Sequence, residues 1–373
     1  MIYPSFSLRC IGFVFGVTTL AACSAQTPTL TVPADWKSDC AGRMQLSFPG
    51  EVDFPSTPGK RFESLMGLTQ STASPPSFTY EDGTQSGYTS INYRGNPLIS
   101  ESLNADILEK IFLAHSKQRL LRGQKDYATR VAPDGNQYGF QVIKTNNSQI
   151  SAWNFYGNRF AVVVRYGDRI FSTNYDSFHT NNQDIKSELE IFAKSITNRK
   201  SFEIPTQTGV CLPSTFVGDD GKQFRNISIA YRLKDHPDVQ IVLKDASAAN
   251  TEPGIRTQNA EPLPVIQSLW DQHLTIFAKD AKNEWARGGH PVTLAGYKGL
   301  SSFVKFIRHD DTVDYGYAAV VRGDPNAKDD TPDLMVYVIR DSQNAKGKEP
   351  MPKDEFLKMA ETIAASVKRR PVQ

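Results

Sequence analysis

The chain has 373 residues, more than one small domain needs and enough for two hydrophobic cores. Apolar residues make up 39% and the net charge is +2. Lys and Arg are scattered rather than blocked, so composition supports neither a nucleic-acid partner nor a general electrostatic role.

In chain order, the first element is "MIYPSFSLRCIGFVFGVTTLAACSAQ". One cation, Arg9, precedes an apolar run over 10–20 that is too short to span a bilayer as a permanent helix. It reads as a secretion signal over 1–22. Leu20-Ala21-Ala22-Cys23 resembles the bacterial lipobox. That resemblance implies that Cys23 is lipidated and becomes the first mature residue. Ser24, rather than Asp, favours the outer membrane by the same resemblance. The alternative is an ordinary signal with a coincidental cysteine. Residues 23–38 then form a lipidated tether, with two prolines in "AQTPTLTVPADW". The expected location is the periplasm, anchored in the inner leaflet of the outer membrane.

The N-terminal half, 39–205, opens at Cys40 with the extended segment "AGRMQLSFPGEVDFP". The spacing predicts a helix over 104–122, with Leu108, Ile111, Phe112 and His115 on one face. Strands are expected over 137–143, 150–156, 159–166 and 169–174, with turns at Gly157-Asn158 and Tyr166–Asp168. Aromatic residues alternate here (Tyr88, Tyr93, Trp153, Phe155, Tyr156), so half of them face either solvent or a second buried layer. Ile185, Leu189, Phe192 and Ile196 predict a closing helix, with Asn182 near its start. A linker over about 199–209 follows.

The C-terminal half, 206–373, repeats this plan. Cys211 opens it with "LPSTFVGDDG". "RNISIAYRL" and "PDVQIVLKD" predict a hairpin. Ile266, Leu269, Trp270 and His273, in a helix over 264–285, match the spacing of the earlier helical face. Strands are expected over 291–294, 299–308, 313–322 and 333–340. Phe356, Ala360, Ile363 and Val367, after Pro352, predict the closing helix. The two closing helices are offset by the same number of residues as Cys40 and Cys211. The expected fold class is α+β: two related domains, each an antiparallel sheet with helices packed on one face.

Cysteine counting follows from the signal. Cys10 leaves with the signal and Cys23 carries lipid, so Cys40 and Cys211 allow one intramolecular connectivity. An oxidising compartment favours that disulfide. The alternative is two separate buried thiols.

Catalytic and metal signatures are absent from the sequence. There is no H-E-x-x-H, C-x-x-C, Walker loop or G-x-S-x-G elbow. "GLSSF" at 299–303 lacks the second glycine and reads as a strand start. His115 and His273, at equivalent helix positions, could meet as metal ligands, but each reads better as a core-edge histidine bonded to a carbonyl. His179, His236, His290 and His309 fall in turns or strand ends. The pairs Asp219-Asp220, Asp310-Asp311 and Asp329-Asp330 sit in turns without calcium-loop spacing. No catalytic, metal or cofactor residue is expected. The polar loops 310–314 and 325–332 are not needed by a sheet, which makes Asp310, Asp311, Asp314, Asp329 and Asp330 candidate partner contacts.

The segments "LAAC", "CAGRMQLSFPGE", "GVCLPSTFVGDDG", "HPDVQIVLKDA" and "EFLKMAETIAASVK" together resemble the immunity proteins cognate to type VI secreted phospholipase effectors, the Tle-cognate group, class four. The resemblance spans the mature chain and is strongest from about Val210. It implies a non-enzymatic, periplasm-facing inhibitor that clamps a lipase effector between two related domains. Its motifs carry no contact residues. An envelope lipoprotein serving assembly or ligand binding is the competing reading. An unrecognised hydrolase is disfavoured because no nucleophile and base can be read.

Overall fold

The computed structural model describes residues 30–56, 78–94, 96–102, 141–144, 148–156, 159–166, 169–176, 182–248, 261–285 and 289–372. The signal, Cys23, the helix expected over 104–122 with His115, and the turn residues Gly157 and Asn158 lie outside them.

The chain begins with β1 (Lys37–Ala41), β2 (Met44–Phe48) and β3 (Val52–Asp53), then a small ribbon of β4 (Phe78–Thr79) and β5 (Gln85–Ser86). A run of strands comes next: β6 (Ser90–Tyr93), β7 (Asn96–Ser102), β8 (Gln141–Lys144), β9 (Ser148–Tyr156), β10 (Arg159–Tyr166) and β11 (Arg169–Asp176). Helix α1 (Asn182–Lys194) and β12 (Ile196–Asn198) close the first half. The second half contains β13 (Gly209–Leu212), β14 (Thr215–Gly218), β15 (Arg225–Leu233), β16 (Val239–Ala246), helix α2 (Pro262–Phe277), β17 (Ala278–Asn283), β18 (His290–Leu294), β19 (Tyr297–Arg308), β20 (Val313–Val321) and β21 (Asp333–Arg340). Helix α3 (Lys353–Ser366) and β22 (Lys368–Arg369) end it.

The sheets are antiparallel, as the short strands and tight turns require. The largest runs β17-β19-β20-β21-β16-β15-β6-β7-β11-β10-β9-β8, with β18 also on β19 and β3 on β15. β15 of the second half thus pairs with β6 of the first, Ile227 opposite Ile91. One buried apolar cluster includes Phe171 and Phe192 from the first half and Tyr231 and Phe356 from the second. Thr31–Gln373 forms one compact unit.

Helix placement corrects one expectation. The α+β class holds, but in the second half the helices take opposite faces of the sheet. Phe356, Ala360 and Ile363 of α3 join the cluster of Ile229, Ile241, Tyr317 and Val338. Ile266 and Trp270 of α2 join that of Ala230, Val242, Ala318 and Tyr337. The reason lies in the strands: "DLMVYVIR" is apolar at both alternate sets, so neither face can be left to water. Two boundaries also move. The helix expected over 264–285 ends at Phe277, and Ala278–Asn283 becomes β17, paired with β19 across a bulge. Ile196 and Val367 fall just past their helices and remain buried.

The internal repeat takes the form of a crosswise closure. The tail strand β12 of the first half pairs with β14 in the second half's opening hairpin. The tail strand β22 of the second half pairs with β2 in the first half's opening hairpin. Each hairpin is therefore completed by the other half. Phe48 and β3 also pack into the second half, where the Phe48 and Tyr231 rings stand 4.7 Å apart. A fragment of residues 203–373 lacks β1–β3 and leaves β22 without its ladder. It is expected to show no cooperative thermal unfolding, whereas 31–373 shows one; a sharp calorimetric transition in the fragment would refute the crosswise dependence.

Candidate functional site

The two hairpins meet at Cys40 and Cys211. Gly42 and Cys211 exchange backbone hydrogen bonds of 2.8 and 2.7 Å, and the two cysteine sulfurs stand at bonding distance with Cα atoms 5.7 Å apart. Both cysteines are fully buried, with Phe216 against them. The sequence separation of 171 residues recurs in the arginines just past the tail strands. Arg199 donates its backbone N–H to Ser214, and Arg370, at the equivalent position, donates its own to Arg43, each at 3.0 Å.

The side chains of the two arginines differ in one respect. The Arg199 guanidinium meets the Asp39 carboxylate and donates to the carbonyls of Glu203 (2.9 Å) and Leu212 (3.1 Å). Burial pushes Asp39 above its usual range despite this arginine. Arg370 donates to the carbonyls of Pro205, Gln207 and Gly209, the last at 2.6 Å, and has no carboxylate at ion-pair distance among the described residues. Val210 occupies the position equivalent to Asp39. Burial, reinforced by the neighbouring Arg199 charge, brings Arg370 down to about 10. The linker between the halves is thus held by one guanidinium from each.

Beside this junction lies an ion network of three arginines and three aspartates. Arg225, fully buried, donates Nε to Asp245 (2.7 Å) and both Nη atoms to Asp330 (3.1 and 2.9 Å). Arg43 reaches Asp219 at 3.1 Å, and its backbone N–H donates to Asp245 at 2.7 Å. Arg369 reaches Asp330 at 3.1 Å. The Tyr93 hydroxyl donates to Asp219 at 2.8 Å, which places this aromatic inside. Gly42, at φ +58°, admits this packing, because a Cβ there would lie 2.4 Å from Asp245 Oδ2.

The five aspartates expected to contact a partner do not form one surface. The loops before and after β20 lie at its opposite ends, about 30 Å apart for a nine-residue strand. At one end Asp310 and Asp311 are exposed, the latter paired with Lys279. Hydrogen bonds from Thr312 and Gln343 lower Asp310 to about 2. Asp314 is fully buried, which removes it as a partner contact: Arg308 donates to it at 2.7 Å, and the Ser342 backbone N–H and hydroxyl each donate at 2.8 Å. At the other end Asp329 is exposed, but Asp330 is the anion shared by Arg225, Arg369 and Arg43. Burial alone would raise Asp330; Arg225 first, then Arg369 and Arg43, outweigh it and hold the carboxyl below its ordinary value.

His273 is 4% exposed and sits against the rings of Phe306 and Phe277, as a core-edge residue should. Its neighbour is a carboxylate rather than a carbonyl: Nε2 lies 3.7 Å from Asp314. Among the described residues, no group of three or more His, Cys, Asp or Glu is placed to hold a metal ion, and no helix is long and apolar enough to cross a membrane. Of the arginines at the centre of this region, Arg43 lies in the segment "CAGRMQLSFPGE", while Arg199, Arg225 and Arg370 lie outside the segments that carry the resemblance. The one sequence signal was that Arg199 and Arg370 share the offset of the cysteines.

Residues 203–372 match the family described as Tle cognate immunity protein 4 C-terminal domain. No curated protein matches the chain in sequence. Among solved structures, the chain is similar to the immunity protein TplEi of the type VI secretion system from Pseudomonas aeruginosa. With "L" peptide bound, that protein is 12% identical, with 91% of this chain and 99% of that chain covered and a TM-score of 0.55. In its apo form the values are 15%, 91%, 98% and 0.53. A chain in the crystal structure of the Tle4–Tli4 complex is 13% identical, with 91% and 98% covered and a TM-score of 0.54. At these identities the structural likeness speaks for the fold. The family match over the second half shows the resemblance to Tle-cognate immunity proteins that the opening segments suggested.

Two measurements check this region. Non-reducing peptide mapping is expected to return a cross-linked Cys40–Cys211 peptide, and reduction is expected to destabilise the protein by up to about 5 kcal/mol in the chain-entropy treatment of so long a loop; two free thiols would contradict the bond. Asp330→Asn is expected to lower unfolding free energy at neutral pH. Because the folded carboxyl is depressed, its contribution is full above the unfolded value of about 4 and fades as pH falls through the folded value. The gap between variant and wild type in urea titrations should therefore narrow below about pH 4; a gap independent of pH would rule out the ionic role.

Proposed function

We propose that this protein is a periplasmic immunity protein that binds and inhibits a cognate type VI secreted phospholipase effector, protecting the cell that makes it. The observation that carries the reading is the match of residues 203–372 to the Tle cognate immunity protein 4 C-terminal domain. The fold shared with a chain of the Tle4–Tli4 complex supports it. Binding requires a rigid scaffold rather than a reacting group, and the ion network and crosswise strands supply that rigidity. A signal over 1–22 and a lipid on Cys23 would hold the protein at the inner face of the outer membrane, where a lipase attacks. That compartment is oxidising, which suits a Cys40–Cys211 bond.

The test is co-expression with a phospholipase effector encoded beside this chain, the effector being directed to the periplasm. Cells carrying the full-length protein are expected to survive and to yield a stable complex, while Cys23→Ser is expected to release the protein from the membrane fraction. Lysis regardless of the protein, with no complex recovered, would end the immunity reading.

A further inference from the structure

One row of side chains in the second half sets two lysines face to face, and no ion pair closes on either among the described residues. Lys282 of β17 lies directly opposite Lys305 of β19, Lys305 opposite Tyr315 of β20, and Tyr315 opposite Arg340 of β21. Residues directly opposite one another in an antiparallel ladder project from the same face. The row therefore crosses four strands at one level, a width of about 14 Å. The Arg340 guanidinium lies 4.5 Å from the centroid of the half-buried Tyr315 ring and donates to the Met351 carbonyl. Neither lysine has a hydrogen-bond or ion-pair partner among the described residues.

Like charges placed directly opposite cost stability. Lys282 is exposed on an edge strand, where a lysine deters unwanted pairing. Lys305 lies one strand inboard, where that explanation fails. A pair that costs stability and closes no internal contact points to an anion brought by a partner.

The surroundings select the kind of partner. Asp280 lies two residues before Lys282 on the same strand, and Glu284 is paired with Lys353. Asp354 and Glu355 open α3 next to that lysine. These carboxylates repel a broad anionic surface such as a bilayer. The Tyr315 ring is already packed by Arg340, Phe303 and Phe356, so single carboxylates spaced along an extended chain would meet the two lysines beside its half-buried edge.

We propose that the row Lys282–Lys305–Tyr315 docks an acidic, extended segment of the effector protein. The proposal rests on the immunity reading and names the face that reading leaves open. The experiment is the double variant Lys282→Gln/Lys305→Gln, titrated with the purified phospholipase effector at low and at physiological salt, with thermal midpoints measured alongside. Affinity is expected to fall about tenfold or more, with a weaker dependence on salt. The midpoint should stay level or rise by about 1–3 °C as the repulsion is removed. Unchanged affinity overturns the proposal while leaving the immunity reading intact. Lysine-dependent pelleting of the soluble 31–373 chain with phosphatidylethanolamine–phosphatidylglycerol vesicles overturns it in favour of a membrane surface. A wild-type chain that captures no effector removes the immunity reading, and this docking face with it.

Discussion

The backbone ladders β12–β14 and β22–β2 bind the ends of each half of the chain to the beginning of the other. A tail strand of two or three residues contributes few hydrogen bonds by itself. Its hold is completed by the next residue in the chain, a buried arginine whose planar donors satisfy several carbonyls of the crossing chain at once. Arg199 gathers carbonyls from the linker and from β13, and Arg370 gathers those of the linker from the other side. The sulfurs of Cys40 and Cys211 lie between the two hairpins at bonding distance.

That constraint positions the charged network beside it. Buried ions are costly unless they are paired, and here each charge is paired although Arg43 Nε and Asp245 Oδ1 have no hydrogen-bond partner among the described residues. Arg225 can be fully buried because Asp245 and Asp330 approach it from separate strands and loops that the crosswise closure holds in place. The absence of a side chain at Gly42 lets the first hairpin lie directly on Asp245. The same network turns Asp330, which sits on a loop suited to recognition, into a structural anion. It leaves Asp310, Asp311 and Asp329 on the surface, at the two ends of one strand.

Much of the architecture was legible in the residues. The alternation of "RNISIAYRL" placed β15 without error, and 333–340 and 159–166 were placed as β21 and β10. The apolar face of Ile266, Trp270 and His273 is buried as its spacing requires. The C-terminal limit of α2 was misplaced because "AKDAKN" has ordinary helical propensity, and an open edge beside β19 claimed it as a strand. The helices were assigned to one face because helical periodicity shows which side of a helix is buried, not which side of a sheet receives it. Asp314 reads as a loop acid because its partners, Arg308 across the turn and Ser342 beyond β21, are brought to it only by the pairing of β19, β20 and β21.

Local sequence determined the long strands, the three described helices apart from the C-terminal limit of α2, and the resemblance of the quoted segments, since each rests on periodicity or short-range pattern. Tertiary structure alone decided which strand completes which hairpin, which aspartates are buried, and that two lysines face one another across β17 and β19. Those outcomes depend on strand order and register. A one-residue slip in pairing sends every side chain to the other face, and contacts between residues far apart in the chain are set by that pairing rather than by the residues' own preferences.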